Sequence, residues 1–258
     1  MKRSELQDIF SDIKEIAYKA GWHIKSRYQS GDSTVIEKHR HDVKLDVDRD
    51  VEELILNMIK QKYPDHGFIC EEGGIKNNDS ATYTWIIDPL DGTVNFSWGI
   101  PHFCTSIALK DKDETLAAVI YDPILDEMFS AARGMGVFLN NRKIPKREVT
   151  KLEDAIIAGG FFKKGAIENS KHILINLFSR IKKIRFFGSA ALDLSYLSLG
   201  RFNGFVQKGL NEWDIAAAAL IVELAGKSIK IIEEHGGLTV IAADKPIFKE
   251  LLEILEYS

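Results

Sequence analysis

The sequence predicts an α/β protein, mixed α+β in its first half and alternating α/β in its second. Three observations predict it. Two amphipathic helical stretches fill most of residues 4–63. Short β-rich runs separated by polar turns follow, as far as Leu139. From Ala155 onward, strand-like and helix-like segments alternate, the pattern of layered α/β proteins. The chain has 258 residues, 45% of them hydrophobic and 28% charged, enough for one full-sized core or two modest ones.

The first helix opens at Ser4-Glu5-Leu6-Gln7, a capping-box pattern. Leu6, Ile9, Phe10, Ile13, Ile16, Ala17, Ala20 and Ile24 recur at helical spacing, and Gly31 lies past the end. A second helix runs from Asp46 to Tyr63, where Pro64 stops it. Gly67–Cys70 is a short strand, and 75–81 a polar surface loop. Tyr83–Ile87 is a strand that ends at Asp88. Phe103–Leu109 and Leu116–Tyr121 flank a reversal at Asp111-Lys112-Asp113. Glu127–Ala132 and Gly136–Leu139 continue the sheet up to a turn at Asn140-Asn141.

In the second half, strands are expected at Ala155–Phe161, Ile184–Phe187, Phe202–Val206, Ile229–Ile232 and Leu238–Ala242. Helices are expected at Ile167–Arg180, at Ala190–Leu199 before Gly200, at Asp214–Ala225 before Gly226, and from Pro246. A boundary near Lys146–Glu153 divides the chain into residues 1–148 and 149–258.

The net charge of −4 lacks the basic field of a nucleic-acid binder. Cys70 and Cys104 are too far apart for a zinc motif and too few for a disulfide framework. The longest apolar run, Ile215–Val222, is far short of a membrane span, and the opening residues lack the apolar core of a signal peptide. A cytoplasmic protein with no nucleic-acid polymer or membrane as partner is expected.

The richest segment is Trp85-Ile86-Ile87-Asp88-Pro89-Leu90-Asp91-Gly92-Thr93-Val94-Asn95-Phe96. Two carboxylates at one turn repel unless a cation lies between them, and hard divalent cations take carboxylate and carbonyl oxygens. Asp88, the Leu90 carbonyl and Asp91 are such donors. The amides of Gly92 and Thr93 suit a phosphate if a helix begins there. Asp-Pro-x-Asp-Gly is also an ordinary surface turn. Glu71-Glu72 ends another strand, so Glu71 is placed to reach the same cation. Asp214 reads either as a helix N-cap or as a ligand. The segment Asp42–Asp50 fails as an EF-hand, having Val51 where Gly is needed and Asn57 where Glu is needed. His39 and His41 read as exposed loop residues, and Cys104 as buried packing.

Glu71-Glu72-Gly73, the Trp85–Phe96 segment and Trp213-Asp214 before Ile215-Ala216-Ala217-Ala218 occur in an order that resembles the inositol monophosphatase family. These are Mg²⁺-dependent, lithium-sensitive sugar phosphatases, and the likeness runs from Lys38 to about Ala243. Gly188-Ser189-Ala190-Ala191 is similar to the family's substrate-side turn. The resemblance implies a five-layer αβαβα sandwich, a homodimer, and two or three Mg²⁺ ions. It implies that Glu71, Asp88 and the Leu90 carbonyl hold one ion, that Asp88, Asp91 and Asp214 hold a second, and that Glu71 helps with a third. Thr93, paired with Asp48, would orient or deprotonate the attacking water. Gly92 and Thr93 would hold phosphate oxygens, with Lys38 near them. Gly188, Ser189, Ala190 and Gln207 would face the alcohol part of the substrate.

The implied reaction is hydrolysis of a small phosphate monoester by metal-activated water, with no covalent intermediate. Candidate esters are inositol monophosphates, fructose 1,6-bisphosphate, histidinol phosphate and adenosine 3′,5′-bisphosphate. A haloacid-dehalogenase-type phosphotransferase needs two Asp residues two apart, whereas Asp88 and Asp91 are three apart. A binding or regulatory protein on the same fold is the non-enzyme alternative. The sequence departs from the family at four places. Cys70 precedes Glu71 where Gly is frequent, and Lys44-Leu45 replaces Val-Thr after Asp42 and Val43. Gln207 stands where inositol monophosphatases carry Glu, and Lys227 replaces a second Gly after Gly226.

Overall fold

A computed structural model describes residues 1–256 except 32, 39–42, 77–80, 146 and 161–174. His39, His41, Asp42, Phe161 and most of the helix expected over Ile167–Arg180 lie outside the described residues.

The first helix, α1 (Arg3–Ser30), starts earlier than the Ser4 pattern suggests. Glu5, rather than Gln7, reaches back, accepting the Lys2 backbone N–H. A two-stranded hairpin, β1 (Val35–Lys38) and β2 (Val43–Leu45), leads into α2 (Asp46–Lys62). An eight-stranded sheet follows, built from β3 (Gly67–Cys70), β4 (Gly74–Lys76), β5 (Thr84–Asp91), β6 (Cys104–Lys110), β7 (Thr115–Asp122), β8 (Glu127–Ala132), β9 (Gly136–Leu139) and β10 (Arg142–Lys143). Its order is β10-β9-β8-β7-β6-β5-β3-β4, antiparallel except for the parallel β3–β5 pair. The short helix α3 (Thr93–Ser97) follows β5. Residues 74–76 are a strand, the last two of them inside the expected 75–81 loop.

The second sheet has five strands in the order β12-β11-β13-β15-β14. These are β11 (Ile156–Gly160), β12 (Lys183–Arg185), β13 (Gly204–Leu210), β14 (Ser228–Glu234) and β15 (Gly237–Ala243). Helical turns over 175–180 (α4), α5 (Ala190–Ser198), α6 (Glu212–Leu224) and α7 (Lys245–Ile254) complete the chain.

Strand alternation sorts the core into three clusters and so defines five layers. Ile87, Ile107, Leu109, Val119 and Tyr121 face α1 and α2. Ile86, Ala108, Ala118 and Ile120 point the other way, onto α5 and α6. The opposite side of those two helices packs on Ala158, Phe205, Val240 and Ala242 of the second sheet. Ile157, Val206, Ile241 and Ala243 cover the outermost side with Leu177, Ile247 and Leu251. The order is αβαβα. α5 and α6, with mostly apolar residues around their circumference, are buried between two sheets.

Lys227 has a structural reason to replace glycine. Its ammonium is 2% exposed and lies 2.5 Å from Asp244 Oδ1, which is fully buried. It also donates to the Arg147 carbonyl. Asp244 Oδ2 accepts the Val149 N–H at 2.8 Å and Asn203 Nδ2 at 3.1 Å. One buried ion pair thus ties the segment between the sheets to the ends of β13, β14 and β15.

Candidate active site

The site begins with a fault in one strand. β5 does not stop at Asp88 but runs through Pro89 to Asp91. Asp88 pairs with Ser106, and Asp91 with Cys104. Three steps along β5 therefore match two along β6, which is a β-bulge. In a regular strand, residues three apart face opposite sides. The extra residue brings Asp88 and Asp91 to one face. Pro89 is tolerated because a bulge relieves the ladder of its N–H.

Neighbouring elements deliver the other groups to this face. Glu71 follows β3, and its N–H donates to the Ile87 carbonyl at 3.2 Å. Asp214 is the third residue of α6 and accepts the Asn211 N–H at 2.6 Å. The N-cap is therefore Asn211, and not Asp214 as one reading of the sequence had it. Glu71, Asp88, Leu90, Asp91 and Asp214 line one cleft of about 150 Å³, closed by Gly92, Thr93, Val94 and Gly188.

Gly92 sits at φ +96°, and a Cβ there would lie 2.9 Å from the His102 carbonyl. Only glycine fits this corner without strain. It lets the chain turn directly from Asp91 into α3. The Thr93 hydroxyl lies 2.9 Å from the Leu90 carbonyl and 3.3 Å from Asp48 Oδ1. Asp48, in the first turn of α2, is 2% exposed and accepts the Leu45 N–H at 2.6 Å. Asp91 Oδ2 accepts the Ser189 hydroxyl at 2.6 Å and the Ala191 N–H at 2.7 Å. The start of α5 therefore holds Asp91 in place.

The carboxylates are costly to ionise together. Burial pushes Glu71 up to about 8; a hydrogen bond with Asp88 partly offsets this, while Asp214, Asp48 and Glu72 add to it. Burial, then Glu71, raises Asp88 well above the usual range. Burial also raises Asp91, although Ser189 and Ala191 pull it back. Acids packed in this way keep a proton unless a cation balances them. Among the described residues, no three His, Cys, Asp or Glu side chains are already placed to hold a metal ion together. The fit to a hard divalent cation lies in the donors themselves, carboxylates and one carbonyl lining one cleft.

Not every residue singled out in the sequence lines the cleft. Ser189 and Ala190 stand behind it, and Ser189 acts on Asp91 rather than on the opening. Gln207 lies on β13 against Gly160, outside the cleft lining. Lys38 ends β1, and its side chain is outside the described set. Cys104 is fully buried, as expected, with its sulfur 4.0 Å from Asp91 Oδ2. Sequence reasoning missed Asn95, whose amide donates to the His102 carbonyl at 2.8 Å and to the Phe187 carbonyl at 2.7 Å. It also missed the buried pair His102 Nε2···Asp193 Oδ1, at 3.2 Å. Neither has a spacing signal, because the Asn95–Phe187 and His102–Asp193 bonds cross between distant segments.

The fold and cleft define a layered α/β protein with a carboxylate-walled pocket at the ends of β3 and β5. The chain belongs to the inositol monophosphatase family, whose sequence profile matches residues 5–252. It is 41% identical over 213 residues to the Nus factor SuhB of Vibrio cholerae, covering 81% of this chain and 80% of that one. The Nus factor SuhB of Escherichia coli K12 is 40% identical, with the same coverage. Among solved structures, the extragenic suppressor protein suhB of Bartonella henselae superposes with a TM-score of 0.90 at 35% identity, covering 96% of this chain and 98% of that one. The inositol monophosphatase of Anabaena (Nostoc) sp. PCC 7120 gives 0.84 at 28% identity, with 98% and 96% covered.

Proposed function

We propose that this chain is a Mg²⁺-dependent phosphatase that hydrolyses a small phosphate monoester. The observation that carries the reading is the set of four carboxylates and one carbonyl (Glu71, Asp88, Asp91, Asp214 and Leu90) on one small cleft beside Gly92 and Thr93. The family membership and the likeness to an inositol monophosphatase support it. Glu71, Asp88 and the Leu90 carbonyl would hold one Mg²⁺, and Asp88, Asp91 and Asp214 a second. Bound divalent ions supply charge neutralisation at phosphorus and a lower pKa for water.

The chain's own groups do the rest. The Gly92 and Thr93 amides and Lys38 bind phosphate oxygens. The Thr93 hydroxyl, bonded to Asp48, orients the attacking water and passes its proton toward Asp48. Gly188 borders the alcohol side of the ester, and Gln207 lies beyond it. Gln offers a hydroxyl group hydrogen bonds without a charge, so esters other than inositol monophosphate belong in the test. Phosphate release from inositol monophosphate, fructose 1,6-bisphosphate, histidinol phosphate and adenosine 3′,5′-bisphosphate, with and without Mg²⁺ and with Li⁺, tests the reading. Mg²⁺-dependent, Li⁺-inhibited release supports it; no release from any ester counts against it.

A second reading, a binding protein on this fold, is supported by the relatives' name, Nus factor, which is not an enzyme's name. Absence of turnover together with retained Mg²⁺ binding would favour it. We also propose a homodimer. Trp98 is 78% exposed and Ile100 47%. Asn95, which leads into them, bonds Phe187, itself 38% exposed. Apolar surface of this kind suits burial against a second copy.

A further inference from the structure

Lys44 stands where the family pattern has Val, and the fold puts its charge next to the acidic cleft. Its Nζ lies 3.3 Å from Glu72 Oε2, with Lys44 about one-third exposed and Glu72 14% exposed. Neither partner is loosely placed. The Glu72 N–H donates to Oε2 of the buried Glu52 of α2 at 2.9 Å, and the Glu71 N–H donates to Ile87. The bond from Leu45 to Asp48 fixes the backbone directly after Lys44. A cation is therefore built in beside Glu71, on the side of the cleft turned toward α2. Burial alone would push the Lys44 ammonium down; Glu72, then Glu37 and Glu71, more than offset it and hold it above the ordinary value.

We propose that Lys44 is an internal counter-cation of the cleft: its ammonium, held against Glu72 beside Glu71, limits how many divalent ions the carboxylates take up and how tightly the last is held. The inference rests on the reading of Glu71, Asp88, Asp91 and Asp214 as a cation site. A positive charge beside the cleft repels an incoming cation and balances part of the acid charge that would attract it. A lysine that only braces β2 against the 71–73 turn would have no such effect.

The test is calorimetric titration with Mg²⁺ alone, on the full chain, for the wild type, Lys44→Val, Lys44→Arg and Glu72→Gln. Val suits a strand and removes the charge. Lys44→Val is expected to bind one further Mg²⁺ per chain, or to hold the weakest one about tenfold more tightly, the scale of one unit charge acting on a divalent ion through partly solvated surroundings. Lys44→Arg should match the wild type. Glu72→Gln should change uptake in the opposite direction, because it removes an acid. A purely bracing pair would respond alike to loss of either partner. Unchanged stoichiometry and affinity in Lys44→Val, or shifts in the same direction for Lys44→Val and Glu72→Gln, would overturn the inference while leaving the cation site standing. A wild type that binds no Mg²⁺ would overturn both.

Discussion

The Ser189 hydroxyl donates to Asp91 Oδ2 at 2.6 Å, joining residues 98 apart in sequence. The same hydroxyl caps α5 by accepting the Leu192 N–H at 3.4 Å. Ser189→Ala removes both bonds. A lost cap and a lost bond to a carboxylate together should destabilise the protein by about 2–3 kcal/mol. Urea unfolding measures this, and a change under about 0.5 kcal/mol would mean that solvent replaces the hydroxyl.

Asp91→Asn keeps the shape of the side chain and removes its charge. Hydrolysis should be abolished and Mg²⁺ binding weakened, with the far-ultraviolet circular dichroism spectrum unchanged. Turnover near the wild-type rate would refute the assignment of Asp91 as a cation ligand.

The Lys227–Asp244 pair gives an asymmetric expectation. Removing one member of a buried pair strands the other charge and costs about 3–5 kcal/mol. Asp244→Ala should be the worse variant, since it also abandons the Val149 N–H and Asn203. The double change Lys227→Met with Asp244→Leu should recover part of the loss. A double variant as unstable as Asp244→Ala alone would show that the bonds to Val149 and Asn203 dominate.

Burial raises Asp193 from 3.8 to about 6, although its bond to His102 pulls it back. A raised carboxyl binds its proton more tightly folded than unfolded. Its contribution is therefore present below pH 3.8 and declines as pH rises toward about 6. Asp193→Asn lacks that decline. Its stability relative to the wild type should improve across this window and then level off. Chemical unfolding at half-unit pH steps follows the difference, and a flat difference would argue against the raised carboxyl.

Trp98→Lys should turn a dimer into a monomer by placing a charge in the apolar surface. Sedimentation velocity reads the mass directly. An unchanged sedimentation coefficient would move the interface elsewhere.

Regular elements were legible because their signals are local. Strands Glu127–Ala132 and Gly136–Leu139 have their expected bounds, and Asn140-Asn141 turns as expected at φ 48° and 63°. The errors share a cause. Pro89 reads as a strand end, yet it lies inside β5, because a bulge removes the need for its N–H. Of the two readings of Asp214, the cap fails, because the chain enters α6 three residues earlier, at Asn211. In the cleft, the acids were marked by their order along the chain. Of the bonds that hold them, Thr93–Asp48 was implied by the family resemblance, whereas Ser189–Asp91 and Lys44–Glu72 had no signal, because they depend on how separate elements dock.

The bulge in β5 also sets how this region can change. Side chains at 88 and 91 reach the same side only because one residue is surplus to the pairing with β6. Removing one residue between them would restore a regular ladder, with the two acids two apart and still on one face, but would abolish the bulged backbone that carries Leu90 into the cleft. Substitution there can be gradual, but length is all or nothing. In a library built on this chain, positions 89 and 90, both buried, should accept apolar replacements of similar size, while single deletions between Asp88 and Asp91 should lose cation binding with the bulge.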